Sequence, residues 1–389
     1  MTAIEILRSS RLIDVRFIEA QSRITNKYGI YWTMIGNQLI GVNDFRPRLG
    51  TFETPWGAPS LKEFAPPPFV EIKESLKDLL DQRALELLSI ARTKNKKIAI
   101  LWSGGIDSTA VLSSFIKNIS PQEFSERIMV ILSSSSIMEN FNFYAKFISK
   151  KVKCMDYHNL DVTSEFLQQY ILIHGDPADC LYGPSVPAYQ QLLDSGQHHD
   201  SYKNHLDSMA AIVQPSTESR YHIEGFGKWW VNKVTENLEE VKPPGVESVS
   251  DWWWWHYYNF KWEFSCQRPF FFARKDFSRP IDQDLLDEFI SCTYYNTPRF
   301  QNWSYSNLKR LVGRDRLSHK MDAKNYIFDL DQNKQYFESK IKVPSAPGNI
   351  LWRMHTWLPV AFDKNWVGHY VWEDGLAETC FQLLQDYKG

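Results

Sequence analysis

Lys97-Ile98-Ala99-Ile100-Leu101-Trp102-Ser103-Gly104-Gly105-Ile106-Asp107-Ser108 changes character halfway along. Its first half is a short apolar run and its second a glycine-containing turn. From Ser108 to Lys117, Val111, Leu112, Phe115 and Ile116 then recur at helical spacing. The order is strand, loop, helix. A second apolar run, Ile128-Met129-Val130-Ile131-Leu132, ends in four serines, and Asn140 to Lys151 reads as the next helix. A third short strand is expected around Ile171-Leu172-Ile173. Strands alternating with helices predict an α/β fold with a parallel sheet and a ligand site at the carboxyl ends of its strands.

The loop Ser103-Gly104-Gly105-Ile106-Asp107-Ser108 suits an oxyanion. Its glycines permit close backbone approach, its serine hydroxyls can donate, and the helix start at Ser108-Thr109 offers amide N–H groups and a favourable dipole. Asp107 has two readings. It is either a helix cap or a ligand to a cation, most naturally Mg²⁺, that bridges carboxylate and phosphate oxygens. The second reading fits a phosphate loop better, because a bare carboxylate repels phosphate. The loop is not a Walker motif, since no GxxxxGK[ST] pattern is present.

Outward from this segment the sequence changes texture. Ile30 to Ile35 and Gln38 to Val42 are β-rich runs between turn signals, and predict a small β-containing N-terminal cap. Pro55 to Pro68 reads as a linker, and Phe69 to Ala91 has helical spacing through Leu76, Leu79, Leu80, Leu85 and Leu88. A boundary is expected near residue 92. Beyond about residue 200 the reading is helical and rich in aromatics. Trp252-Trp253-Trp254-Trp255-His256-Tyr257-Tyr258 reads as a buried helix face and pocket wall rather than a base-stacking platform, because no basic residues interleave it.

With 389 residues, 43% hydrophobic and 15% aromatic, the chain can bury the cores of two domains. Its 44 basic and 46 acidic residues nearly cancel. No overall field draws it to nucleic acid or an anionic membrane, although a local basic groove is compatible with this balance. The five cysteines lie far apart with no metal-ligand spacing, and free thiols in a reducing compartment are expected. The first residues are broken by charges and no apolar run is long enough to span a bilayer, so a cytoplasmic protein is expected. Nothing in the sequence sets an oligomeric state.

SGGIDS after Ile98-Ala99-Ile100-Leu101 resembles the signature of the N-type ATP pyrophosphatases, the PP-loop group that includes asparagine synthetase, β-lactam synthetase, GMP synthetase and tRNA-thiolating enzymes. The resemblance implies a sheet of the adenine nucleotide α-hydrolase-like type, binding of ATP with Mg²⁺, and cleavage between the α- and β-phosphates. A second string narrows it. His174-Gly175-Asp176-Pro177-Ala178-Asp179-Cys180-Leu181-Tyr182-Gly183 carries two carboxylates in a turn opening on a helix. Alone it reads as a solvated acidic turn. Beside SGGIDS it is similar to the second signature of asparagine synthetases, roughly S-G-E-G-A-D-E-L-F-G. Gly175 then matches backbone that lines the adenosine pocket, Asp176 the glutamate facing the α-phosphate and acyl group, and Asp179 the second metal-binding aspartate. Asp176 is one methylene shorter than the family's glutamate, and Pro177 stands where the family has glycine.

In such a fold Leu101, Ser103, Gly104, Gly105, Asp107 and Ser108 surround the phosphates. Leu132 and Ser133 would meet adenine or ribose through their backbones, and Glu139 is either a nucleotide neighbour or a helix cap. Lys320 and Lys324, spaced to share a helix face, lie in a region similar to the family's late lysine-containing segment. Either would stabilise developing charge at the α-phosphate or acyl group; a plain surface pair is the other reading. Gln267-Arg268-Pro269-Phe270-Phe271-Phe272 is similar to the family's R-x-P-F-L-D stretch, but Ala273-Arg274 replace its aspartate.

Residue 2 is Thr2 rather than the cysteine of the family's glutaminase domain, so 1–92 is expected to be a reduced cap without glutaminase activity and 93–389 the synthetase domain. The expectation is a ligase that adenylates a small-molecule carboxylate, releases pyrophosphate, and passes the acyl group to an amine or ammonia. Adenylation of a tRNA or another nucleic-acid base is the alternative.

Overall fold

The computed structural model describes residues 47–50, 64–183, 192–214, 224–273, 282–313 and 318–340. The expected N-terminal strands, Thr2 and Arg274 lie outside them.

Four parallel strands form one sheet in the order β3-β2-β1-β4: β1 Lys97–Leu101, β2 Ile128–Leu132, β3 Lys153–Asp156 and β4 Tyr170–Ile173. β2 is buried along its whole length, which is why it reads as an unbroken apolar run. β1 is central. Its register, Ile98 against Ile128 on one side and Ile171 on the other, brings the carboxyl ends of β1, β2 and β4 to one edge. The chain leaves β1 toward β2 and β3, then returns to β4 on the opposite side. That reversal creates the crevice in which open α/β sheets bind ligands.

α1 (Leu76–Thr93) and α2 (Ile106–Asn118) cover the sheet. α1 starts later than its apolar spacing predicts, because the amides of Val70 and Ile72 are taken by Asn302 Oδ1 (3.2 Å) and Ser306 Oγ (2.9 Å). Arg83, buried on α1, donates to the carbonyls of Ser291 (2.8 Å) and Thr293 (3.3 Å), at the end of the helix Gln283–Cys292. A guanidinium there satisfies orphan carbonyls at the negative end of the dipole. Asn140 to Lys151 is not one helix. Ser133 caps Ser134–Glu139 with a capping box, Asn140 caps a new turn at Phe141, and a π-helical turn follows over Tyr144–Ile148. The side-chain caps compete successfully with continuous helix.

The described residues divide into two compact units that interleave along the chain. A sheet unit takes those in Leu76–Gly175, Phe272–Tyr294 and Met321–Gly389. A helical unit takes those in Met1–Ser75, Asp176–Phe271 and Tyr295–Lys320. This differs from a single boundary at 92/93: α1 packs on α2 and β1 and so belongs with the sheet. In the helical unit every residue of the helix Val249–Phe260 is buried. Its indoles find acceptors: Trp252 donates to Thr235 Oγ1 (3.0 Å), Trp254 to Ser304 Oγ (3.0 Å) and Trp255 to Asn237 Oδ1 (3.2 Å). The tryptophan run is core. Among the described residues no helix is long and apolar enough to cross a membrane.

Candidate functional site

In the sheet unit the glycine loop leaves the end of β1 and enters α2. Gly104 has φ +75°, and a Cβ there would stand 2.3 Å from the Ser136 carbonyl oxygen, so only glycine lets the loop pass beneath Ser136. Gly105 is the N-cap of α2 and makes no side-chain cap. Asp107 sits in the first helical turn, two residues past the cap position that Gly105 occupies. The capping reading of Asp107 is therefore replaced, and its carboxylate stands at the positive end of α2.

The serines behave differently from expectation. Ser108 Oγ accepts from the Ser103 amide (3.1 Å), meets Ser103 Oγ (2.9 Å) and donates to the Gly105 carbonyl (3.2 Å), while the Gly105 amide donates to Ser103 Oγ (3.3 Å). These hydroxyls brace the loop's own backbone. Trp102 adds a buried tie, its indole N–H to Thr109 Oγ1 at 3.0 Å.

Gly175, two residues beyond β4, closes the other side of the crevice. A Cβ on it would lie 2.7 Å from the Ser108 amide nitrogen and 2.9 Å from the Asp107 carbonyl carbon. The two sequence strings thus meet backbone to backbone at the reversal between β1 and β4. Leu101 ends β1 at this point, and Leu132 ends β2 on the other side of β1. Ser133 is committed elsewhere: its amide donates to Ser136 Oγ (3.2 Å) and its carbonyl accepts from Ile137 (3.2 Å), so both backbone groups are engaged at the start of a helix. Glu139 ends that helix rather than capping its start. It is buried and ion-paired to Lys340 at 2.6 Å. Lys324 is buried on the helix Met321–Asp331 of the same unit.

The remaining expected residues lie in the helical unit. Asp176 opens its second segment, and Asp179 lies in the first turn of the helix Ala178–Tyr182. Asp179 Oδ1 accepts from Lys320 Nζ at 2.5 Å, and Oδ2 faces Lys261 Nζ at 3.4 Å. Both ammonium groups also lie over tyrosine rings, Lys320 over Tyr182 (5.8 Å) and Lys261 over Tyr257 (4.8 Å). Asp179 thus lies between two buried lysines.

Lys320 and Lys324 do not share a helix face. Lys320 has φ +58° and precedes the helix, which starts at Met321, because a left-handed residue cannot continue an α-helix. Sequence reasoning missed Lys261, although a lone lysine between Phe260 and Trp262 in a buried aromatic run is a usable signal. It also missed Lys340, which no local pattern marks.

Among the described residues no group of three or more His, Cys, Asp or Glu side chains is arranged to hold a metal. Asp107 suits the way Mg²⁺ binds beside nucleotides, through one or two carboxylates and the phosphate oxygens themselves. No protein-family model, curated protein or solved structure matches the chain.

Proposed function

We propose that the protein is an ATP-dependent ligase of the PP-loop, asparagine synthetase-like type: a carboxylate displaces pyrophosphate from the α-phosphate of ATP, and an amine or ammonia then displaces AMP. One observation carries this reading. The SGGIDS loop, at the carboxyl end of the central strand, is packed directly against Gly175 of the second string, at the sheet's topological reversal.

In this reading the amides at the start of α2 receive phosphate, and Gly104 and Gly105 let it approach the backbone. Asp107 would hold Mg²⁺, and Asp179 is the second metal-binding carboxylate that the resemblance implies. The ion, when bound, neutralises phosphate charge and polarises the oxygens that leave. Asp176 faces the α-phosphate and acyl group by the same resemblance. Lys320 and Lys324 are the lysines from which charge stabilisation would come, and the pairing of Lys320 with Asp179 holds one of them in a fixed orientation. Positioning and electrostatics supply the rate, because the reaction asks for no protein nucleophile.

The test incubates the protein with Mg²⁺-ATP and pools of carboxylates and amines and measures AMP and pyrophosphate. The expected result is equal release of both, dependent on a carboxylate. Release only when RNA or DNA is added would transfer the adenylation to a nucleic-acid base. ATP binding without pyrophosphate release under either condition would overturn the ligase.

A further inference from the structure

The chain beyond the helix Met321–Asp331 sets two polar groups onto the glycine loop. Tyr336, on the helix Lys334–Ser339, donates its hydroxyl to the Gly104 carbonyl at 2.9 Å. Lys340 follows, with its ammonium 2.6 Å from Glu139 Oε1, and the two side chains are only 9% and 1% exposed. That same Glu139 oxygen would stand 3.3 Å from a Cβ on Gly105, and Glu139 Cβ 2.9 Å from one on Gly104. A carboxylate therefore lies along the loop, and a buried lysine neutralises it.

Helix geometry does not favour a carboxylate there. Glu139 is the last residue of Ser134–Glu139, where the helix dipole disfavours negative charge. Beside a loop whose amides attract an anion, it is a built-in competitor for that anion. Its lysine is a cation already desolvated and already at the loop.

We infer that Lys340 is a phosphate-positioning residue, kept at the loop by Glu139 as a stand-in anion and transferred to the phosphates when nucleotide binds. This rests on the reading of the loop as a phosphate site. No covalent bond changes and no proton moves: the ammonium exchanges a carboxylate oxygen for a phosphate oxygen. Lys340 lies 201 residues from Glu139 in sequence, so the exchange also links the loop to the segment carrying Tyr336.

The inference is tested on the full chain by calorimetric titration with Mg²⁺-ATP and, separately, with inorganic pyrophosphate. Thermal unfolding reports whether each variant is folded. Glu139→Gln removes the competing charge and is expected to tighten both ligands by about tenfold, the scale of one charge-assisted hydrogen bond. The double variant Glu139→Gln/Lys340→Gln removes both charges of the pair together, which is milder than removing one, and is expected to fold and to bind both ligands more weakly than the wild type. A double variant that binds as tightly as Glu139→Gln alone would show that Lys340 does not meet phosphate, and weaker binding by Glu139→Gln would show that Glu139 is no competitor. Either result overturns the inference while leaving the phosphate loop intact. A wild-type protein that takes up neither ligand would overturn the reading of the loop itself.

Discussion

Gly175 leaves no room for a side chain against Ser108: a Cβ on it would sit 2.7 Å from the Ser108 amide nitrogen. The obstacle is backbone, which cannot swing away as a flexible side chain can. Gly175→Ala should therefore push the start of α2 away from the end of β4, at a cost of about 1 to 3 kcal/mol for the overpacking. Denaturant titration measures that loss, and calorimetry should show ATP binding weakened well beyond it. Unchanged stability and affinity would mean that the crevice between β1 and β4 is not the nucleotide site.

Asp107 is the carboxylate on which the metal assignment turns. It is a first-turn acid, and its interaction with the dipole of α2 stabilises by about 0.3 to 1 kcal/mol. Asp107→Asn should lower Mg²⁺-dependent pyrophosphate release by about a hundredfold or more, as expected when one electrostatic element is removed from a reacting site, and thermal unfolding checks that the variant is folded. Wild-type rates in this variant would remove Asp107 from the metal's ligands.

Asp179 holds two buried lysines, Lys261 and Lys320, and is itself 38% exposed. Asp179→Asn takes one carboxylate charge away from both ammonium groups. The expected destabilisation is about 3 kcal/mol, at the low end for a broken buried pair because water reaches the carboxylate. Adding Lys320→Met should recover part of that loss. Chemical denaturation of the single and double variants gives the coupling directly, and simple additivity would show that the pair is not coupled.

His256 is enclosed by Trp230, Trp252 and Trp253, and its Nε2 accepts the Trp230 indole N–H at 3.0 Å. Burial, with a smaller contribution from Lys261, holds its pKa down to about 3 from the ordinary 6.5. The unfolded chain then binds a proton below pH 6.5 that the folded chain refuses, so this term is fully present above pH 6.5 and declines toward pH 3. The slope is about 1.4 kcal/mol per pH unit, or about 2 kcal/mol lost by pH 5. His256→Gln, which keeps an acceptor for Trp230, should flatten the stability profile by that amount. A variant with the same pH dependence as the wild type would place the sensitivity elsewhere.

The legible parts of the fold are those specified over short distances. β1, β2 and β4 are uninterrupted apolar runs in a sheet covered on its faces, and Gly104 announces a left-handed turn. β3 escaped notice because Lys153-Cys154-Met155-Asp156 is a short edge strand with its first residue exposed, so it needs no apolar alternation. Periodicity also misplaced Lys320. Spacing of four residues implies a shared face only if the helix covers both positions, and the backbone turns left-handed at Lys320.

The amino-acid sequence by itself determined the strand-loop-helix unit around SGGIDS, the parallel character of the sheet and the pair of strings that Gly104, Gly105 and Gly175 anchor. Each of these follows from backbone sterics or burial within a few residues. The tertiary structure alone decided the partners of the charged groups. Asp179 meets Lys261 and Lys320 across 82 and 141 residues, and Glu139 meets Lys340 across 201. A buried carboxylate needs a cation but carries no preference for one lysine over another. The packing of apolar neighbours makes that choice, and no pattern along the chain encodes it locally.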